Sequence, residues 1–150
     1  MKSKSIFPVL LASGLFFILP ATAGTSELPP PDSKSLSAIL QALEAQKSGV
    51  ITEAEFDDGL LEVKVCDAGD CRKLYIDPIS GEEKRRKKTG SEETPPANAI
   101  PLSTIVESVE SRGLGIITEV EFEKGFWEIE LRNGRKIELN IDPVTGEEKR

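Results

Sequence analysis

The stretch Gly115-Ile-Ile-Thr-Glu-Val-Glu-Phe-Glu-Lys-Gly-Phe-Trp-Glu-Ile-Glu-Leu131 decides the fold. Two strand-like runs flank Lys124-Gly125. On the first, the alternation assigns Ile116, Thr118, Val120 and Phe122 to one face and Ile117, Glu119 and Glu121 to the other. On the second, Trp127, Ile129 and Leu131 share a face, with Phe126, Glu128 and Glu130 behind them. Period-two alternation is the mark of a strand with one buried and one wet face. Gly125 supplies the positive φ that a two-residue turn needs. The predicted hairpin sets Phe122 opposite Trp127 and Val120 opposite Ile129.

The same pattern occurs earlier. Residues 49–65, from Gly49 to Val65, align with 115–131 at a spacing of 66, with Asp58-Gly59 as the turn and Phe56 facing Leu61. Beyond the hairpins, Asp77-Pro78-Ile79-Ser80-Gly81-Glu82-Glu83-Lys84-Arg85 matches Asp142-Pro143-Val144-Thr145-Gly146-Glu147-Glu148-Lys149-Arg150 at a spacing of 65. The chain therefore reads as a tandem duplication.

Ahead of each hairpin lies an amphipathic helix. Leu36, Ile39, Leu40 and Leu43 fall at i, i+3, i+4 and i+7, as do Leu102, Ile105, Val106 and Val109. Ser37 and Ser103 are candidate N-caps, and Gly49 and Gly115 stand where helix gives way to strand. A third strand follows each hairpin, with Leu74 and Ile76 inward in the first half and Ile137, Leu139 and Ile141 inward in the second. The expected fold class is α+β: two tandem α-β-β-β units, each one helix packed on its own three-stranded antiparallel sheet. The predicted organisation is a signal peptide at 1–23, a polar leader at 24–34, repeat 1 at 35–85, a linker at 86–100 and repeat 2 at 101–150. Gly90, Pro95 and Pro96 mark the linker, and its basic start, Arg85-Arg86-Lys87-Lys88, reads as a solvated charge run.

The signal reading rests on Lys2 and Lys4, an apolar run from Ile6 to Leu19, and Ala21-Thr22-Ala23 as a small-residue cleavage site. The apolar run is shorter than the ~20 residues that span a bilayer, so no stable membrane anchor is expected after cleavage behind Ala23. Removing Lys2 and Lys4 takes the formal charge from −7 to −9, which argues against nucleic acid as a partner. With 150 residues and no histidine, the chain has no histidine base, no histidine metal ligand and no Ser-His-Asp triad.

Ile117-Thr-Glu-Val-Glu-Phe-Glu-Lys-Gly-Phe-Trp-Glu-Ile-Glu-Leu131, then Asn133-Gly134, then Ile141-Asp-Pro-Val-Thr-Gly-Glu147 resembles the PepSY domain. The likeness covers 101–150 closely and 35–85 loosely, where Leu61 replaces the tryptophan and two cysteines enter the loop. PepSY units occur in propeptides of secreted thermolysin-type proteases and in exported bacterial proteins. The resemblance implies a binding or regulatory module and brings no catalytic residue or cofactor with it.

Cys66 and Cys71 are the two cysteines. Strand parity points both outward and sets them opposite each other across a four-residue loop, so a disulfide is expected in an exported protein. Paired reactive or metal-binding thiols are the competing reading, disfavoured because C-x₄-C lacks redox spacing and two sulfurs without histidine make a poor zinc site. Trp127 is assigned to the core, and Phe126 to the outer side as a contact residue. Glu119, Glu121, Glu128, Glu130 and Glu138 are expected on one outer face, with Arg132 and Lys136 at its edge. The matching first-half rows, Glu53–Lys64–Lys73 and Glu55–Glu62–Tyr75, are largely neutralised. Together with Phe126, those five glutamates form the candidate face for a basic envelope protein. The first functional expectation is an exported non-enzymatic module acting on an envelope protein such as a peptidase or sensor. The alternative is a Ca²⁺-responsive sensor or buffer using the same carboxylates.

Overall fold

The computed structural model describes residues 26–149. The signal-peptide reading at 1–23 lies outside them. The elements run α1 (Leu36–Ala45), β1 (Val50–Asp57), β2 (Leu60–Asp67), β3 (Asp70–Ile76), β4 (Glu83–Thr89), α2 (Leu102–Ser111), β5 (Ile116–Glu123), β6 (Phe126–Arg132), β7 (Lys136–Ile141) and β8 (Glu148–Lys149). Both hairpins and both third strands form where the alternation places them. They do not form two sheets. All eight strands join one antiparallel sheet in the order β4-β3-β2-β1-β5-β6-β7-β8.

The seam between the halves is the β1–β5 ladder: Glu53 opposite Glu121, Ala54 opposite Val120, Glu55 opposite Glu119. Because 54 and 120 differ by the repeat spacing of 66, a pseudo-twofold axis passes through the Ala54–Val120 pair. A small unit cannot close its own core easily, and joining the sheets gives one continuous core. It includes Leu40, Ala54, Phe56 and Val63 from the first half and Val106, Val120, Trp127 and Ile129 from the second. Both helices cover this single face.

The helices are antiparallel and cap each other. Glu44, at the end of α1, accepts hydrogen bonds from the Ser103 N–H (3.2 Å) and hydroxyl (2.5 Å) at the start of α2. Glu110, at the end of α2, likewise accepts from the Ser37 N–H (3.4 Å) and hydroxyl (2.5 Å). A carboxylate at a helix N-terminus meets unpaired N–H groups and the positive end of the dipole. Ser37 and Ser103 are thus not the N-caps. Those positions are Ser35, whose hydroxyl accepts from the Ala38 N–H, and Pro101, which makes no side-chain cap.

The alternation fails at one place in each half. The register slips between Ile51 and Glu53 and between Ile117 and Glu119, so Thr52 and Thr118 are extra residues in β-bulges. Ile117, expected outside, is buried opposite Leu131, while Ile116, expected inside, is 49% exposed. The bulge places a large apolar side chain opposite Leu131, where strict alternation would put a threonine.

Two segments read as unstructured are built in. Glu83–Thr89 is an edge strand paired with β3, so residues 86–89 belong to the sheet and not to a linker. On it, Arg85 stacks 3.8 Å above the Tyr75 ring. The leader is an arm across the seam. The Ser26 hydroxyl donates to Glu130 (3.1 Å), the Glu27 N–H donates to the Phe56 carbonyl (2.8 Å), and the Lys34 N–H donates to Pro78 (2.9 Å). The second half repeats the last contact, Ile100 N–H to Pro143 at 2.8 Å. Glu92, 66 residues after Ser26, contacts Lys64, 66 residues before Glu130. The arms, Glu27-Leu28-Pro29-Pro30 and Glu93-Thr94-Pro95-Pro96, thus recur at the same spacing of 66 as the hairpins.

Candidate functional site

With the helices on one face, the opposite face of the sheet carries, among the described residues, no helix and only the arm contacts of Ser26 and Glu92, and the strand pairing writes rows across it. One row reads Tyr75, Glu62, Glu55, Glu119, Glu130, Glu138, five consecutive glutamates from β2 to β7. The neighbouring row reads Lys73, Lys64, Glu53, Glu121, Glu128, Asn140. The acidic face expected of the second half alone is thus continuous with the first half.

Ion pairs thin this face at both ends. Lys73 pairs with Glu62, and Lys64 with Glu53 and Glu92. Glu130 departs from the expectation. Instead of standing free it is 7% exposed, bound by Arg132 (2.8 Å) and Lys136 (2.6 Å). Burial would raise its pKa, but Lys136, Ser26 and Arg132 hold it below the usual carboxylate value. Glu138 also meets Lys136, at 3.6 Å. Among the described residues, Glu55, Glu119, Glu121 and Glu128 have no cationic partner within ion-pair distance.

These four share a physical signature. Burial, followed by the charges of Glu119 and Glu53, pushes Glu55 up to about 7. Burial and then Glu121 and Glu130 raise Glu119; burial and then Glu53 raise Glu121; burial and then Glu138 raise Glu128. Like charges aligned across strands destabilise the sheet. The sequence does not reveal Glu55, because within the first half its row ends at Glu62 and Tyr75, and only the β1–β5 seam brings Glu119 beside it.

The remaining candidates fall into place. Cys66 and Cys71 are bonded, S–S 2.00 Å, on the outer side as parity indicated, and both are buried. The bond leaves no thiol for metal or redox chemistry at this pair. Trp127 is buried, edge-on to Phe122 with centroids 5.1 Å apart. Its indole N–H has no hydrogen-bond partner among the described residues. Phe126 lies half-buried on the side away from the helices beneath the Lys149 ammonium, 3.9 Å from the ring centre.

One acidic trio, Glu27, Asp57 and Asp58, brings carboxylate oxygens within 4.8 Å of one another at the first hairpin turn. Its location is solvent-facing, and exposed acids on a turn are ordinary surface. At the equivalent turn Glu93 instead accepts hydrogen bonds from the Lys124 and Gly125 N–H groups, each at 3.0 Å. Among the described residues no helix is long and apolar enough to cross a membrane.

Residues 90–148 match the model of the PepSY family described as "Peptidase propeptide and YPEB domain". No curated protein matches the chain. A crystal structure of a proposed lipoprotein from Clostridium difficile 630 is similar at 15% identity and a TM-score of 0.46, covering 85% of this chain and 94% of that one.

Proposed function

We propose that the chain is an exported, non-enzymatic binding module whose sheet face away from the helices docks a basic protein of the cell envelope. The observation that carries this reading is the group Glu55, Glu119, Glu121 and Glu128, four neighbouring carboxylates that, among the described residues, have no cation within ion-pair distance, on the face of the sheet away from the helices. A partner bearing lysines or arginines would relieve their mutual repulsion, so complexation and neutralisation favour each other. PepSY units act as propeptides or regulators, and the match at 90–148 supports the same role here. The first half is read as a second such unit because its elements, turns and arm recur at a spacing of 66. Export rests on the amino-terminal pattern around Lys2, Lys4 and Ala21-Thr22-Ala23. A thermolysin-type peptidase is the first partner to assay, by inhibition of its hydrolytic activity.

The test is a binding rate. The mature protein is immobilised, a partner is recovered from envelope extract, and association is measured across a salt series. Glu119→Gln with Glu121→Gln should slow association several-fold at low salt, and the difference should fade as the screening length drops below ~10 Å. An unchanged rate at every salt concentration removes the face from the binding reaction. Calorimetric titration with Ca²⁺ separates the cation-sensor reading: docking predicts no saturable heat, and a saturable heat lost in the same variant favours the cation.

A further inference from the structure

The acidic reading makes no use of the opposite end of the sheet. Strand β4, Glu-Lys-Arg-Arg-Lys-Lys-Thr, places Lys84, Arg85, Arg86, Lys87 and Lys88 consecutively on an exposed outer strand of a chain whose formal charge is −7. Lys84 meets Asp77 and Glu82, and Arg86 meets Glu83. Among the described residues, Arg85, Lys87 and Lys88 have no carboxylate partner. Pairing with β3 worsens the balance, because Lys88 faces Arg72 and Lys87 faces Lys73. Like charges directly opposite destabilise a ladder. An outermost strand also presents a row of N–H and C=O groups that no neighbour in the sheet takes.

A few lysines suffice to deter a neutral strand from such an edge. Five consecutive cations do more, since they select for an acidic strand. We propose that β4 is a docking edge for an acidic extended segment of a partner protein, which adds to the sheet as a ninth strand. An added strand projects its side chains alternately to the two faces. Acidic residues on its side away from the helices would meet Arg85 and Lys87, and those on its helix side Arg86 and Lys88. Each backbone edge would complete the other.

The geometry favours an extended peptide over an anionic lipid surface. The cations are divided between both faces of the sheet, so a flat membrane could reach one set only, and only a strand can use the backbone edge. This inference goes beyond the docking of a basic partner on the central carboxylates and is tested separately from it.

The probe is a fluorescein-labelled heptapeptide alternating glutamate with threonine, titrated by anisotropy against the mature protein. Saturable binding is expected, together with slowed amide exchange at residues 83–89. Lys87→Glu with Lys88→Glu should weaken binding at least about tenfold, with thermal melting run alongside to confirm folding. A peptide of the same charge interrupted by proline tests the strand independently of any protein variant, because proline removes a backbone donor. It should bind at least about tenfold more weakly. Equal affinity for the proline peptide, or binding without slowed exchange at 83–89, overturns strand addition. Binding to phosphatidylglycerol vesicles without binding to the peptide assigns the edge to lipid and also overturns the proposal.

Discussion

Glu55→Gln is the most telling single change, because it removes a charge from the seam between the two halves while keeping the shape. Glu55 has Glu62 on one side and Glu119 on the other, and burial followed by Glu119 and Glu53 moves its pKa from 4.5 to about 7. The folded state holds this proton more tightly than the unfolded chain does. Stability from this group is therefore fully present below pH 4.5, falls as the pH rises, and is lost once the pH passes about 7. At about 1.4 kcal/mol per pKa unit the ceiling is about 3.4 kcal/mol, and solvent screening of a partly exposed carboxylate brings it to about 1.5 kcal/mol. Glu119, Glu121 and Glu128 are raised as well and act in the same direction. Asp77, Asp142 and Glu130, whose values are lowered, act oppositely and lose their contributions only as the pH falls into the acid range. The assay is urea unfolding from about pH 4.5 to pH 8, with stability extrapolated to water. Wild type should weaken across that interval. The glutamine variant should match it at the acid end, exceed it by about 1.5 kcal/mol near pH 8, and show a shallower slope. Stability that rises with pH in wild type, or a variant no steadier at pH 8, would refute the reasoning.

The remaining predictions concern how the halves hold each other. Glu44→Ala should cost about 1–2 kcal/mol by urea unfolding, since Pro101 offers no side-chain cap to α2. Glu110→Ala should cost less, since Ser35 still caps α1; equal losses would contradict the asymmetry. Trp127→Ala should cost about 3–5 kcal/mol. Trp127→Phe should cost far less, because it also removes an unpartnered buried N–H; similar melting temperatures for the two variants would show that packing does not dominate there. Cys66→Ser with Cys71→Ser should cost at most about 3 kcal/mol, given the short loop, and leave a folded protein by circular dichroism.

Much of this molecule is legible from local pattern. Asp58-Gly59 and Lys124-Gly125 announce their turns, and the alternation around Val63, Leu74, Ile129 and Leu139 assigns those residues to the core. The same parity sets Cys66 opposite Cys71. What escapes is non-local. Residues 50 and 51, like 116 and 117, offer two adjacent apolar side chains, and alternation alone cannot say which turns inward; the bulges at Thr52 and Thr118 settle that. The β1–β5 seam is written in glutamates, Glu53, Glu55, Glu119 and Glu121, which read as surface wherever they occur. Arg85, Arg86, Lys87 and Lys88 read as solvated charge for the same reason, although they lie in an edge strand. The shared Glu-x-Pro-Pro of the arms was a signal available in the sequence, hidden by the compositional habit of treating proline as a linker mark.

The proposed docking face can be tested most directly by carboxylate footprinting, in which accessible glutamates are coupled to glycine ethyl ester by a carbodiimide and read residue by residue by mass spectrometry. The protein is labelled alone and in complex with a partner recovered from envelope extract. Glu55, Glu119, Glu121 and Glu128 should be strongly protected in the complex, while Glu107, exposed on α2, should label as before. Unchanged labelling of those four, with protection appearing instead at Glu107 on the helical face, would contradict the account.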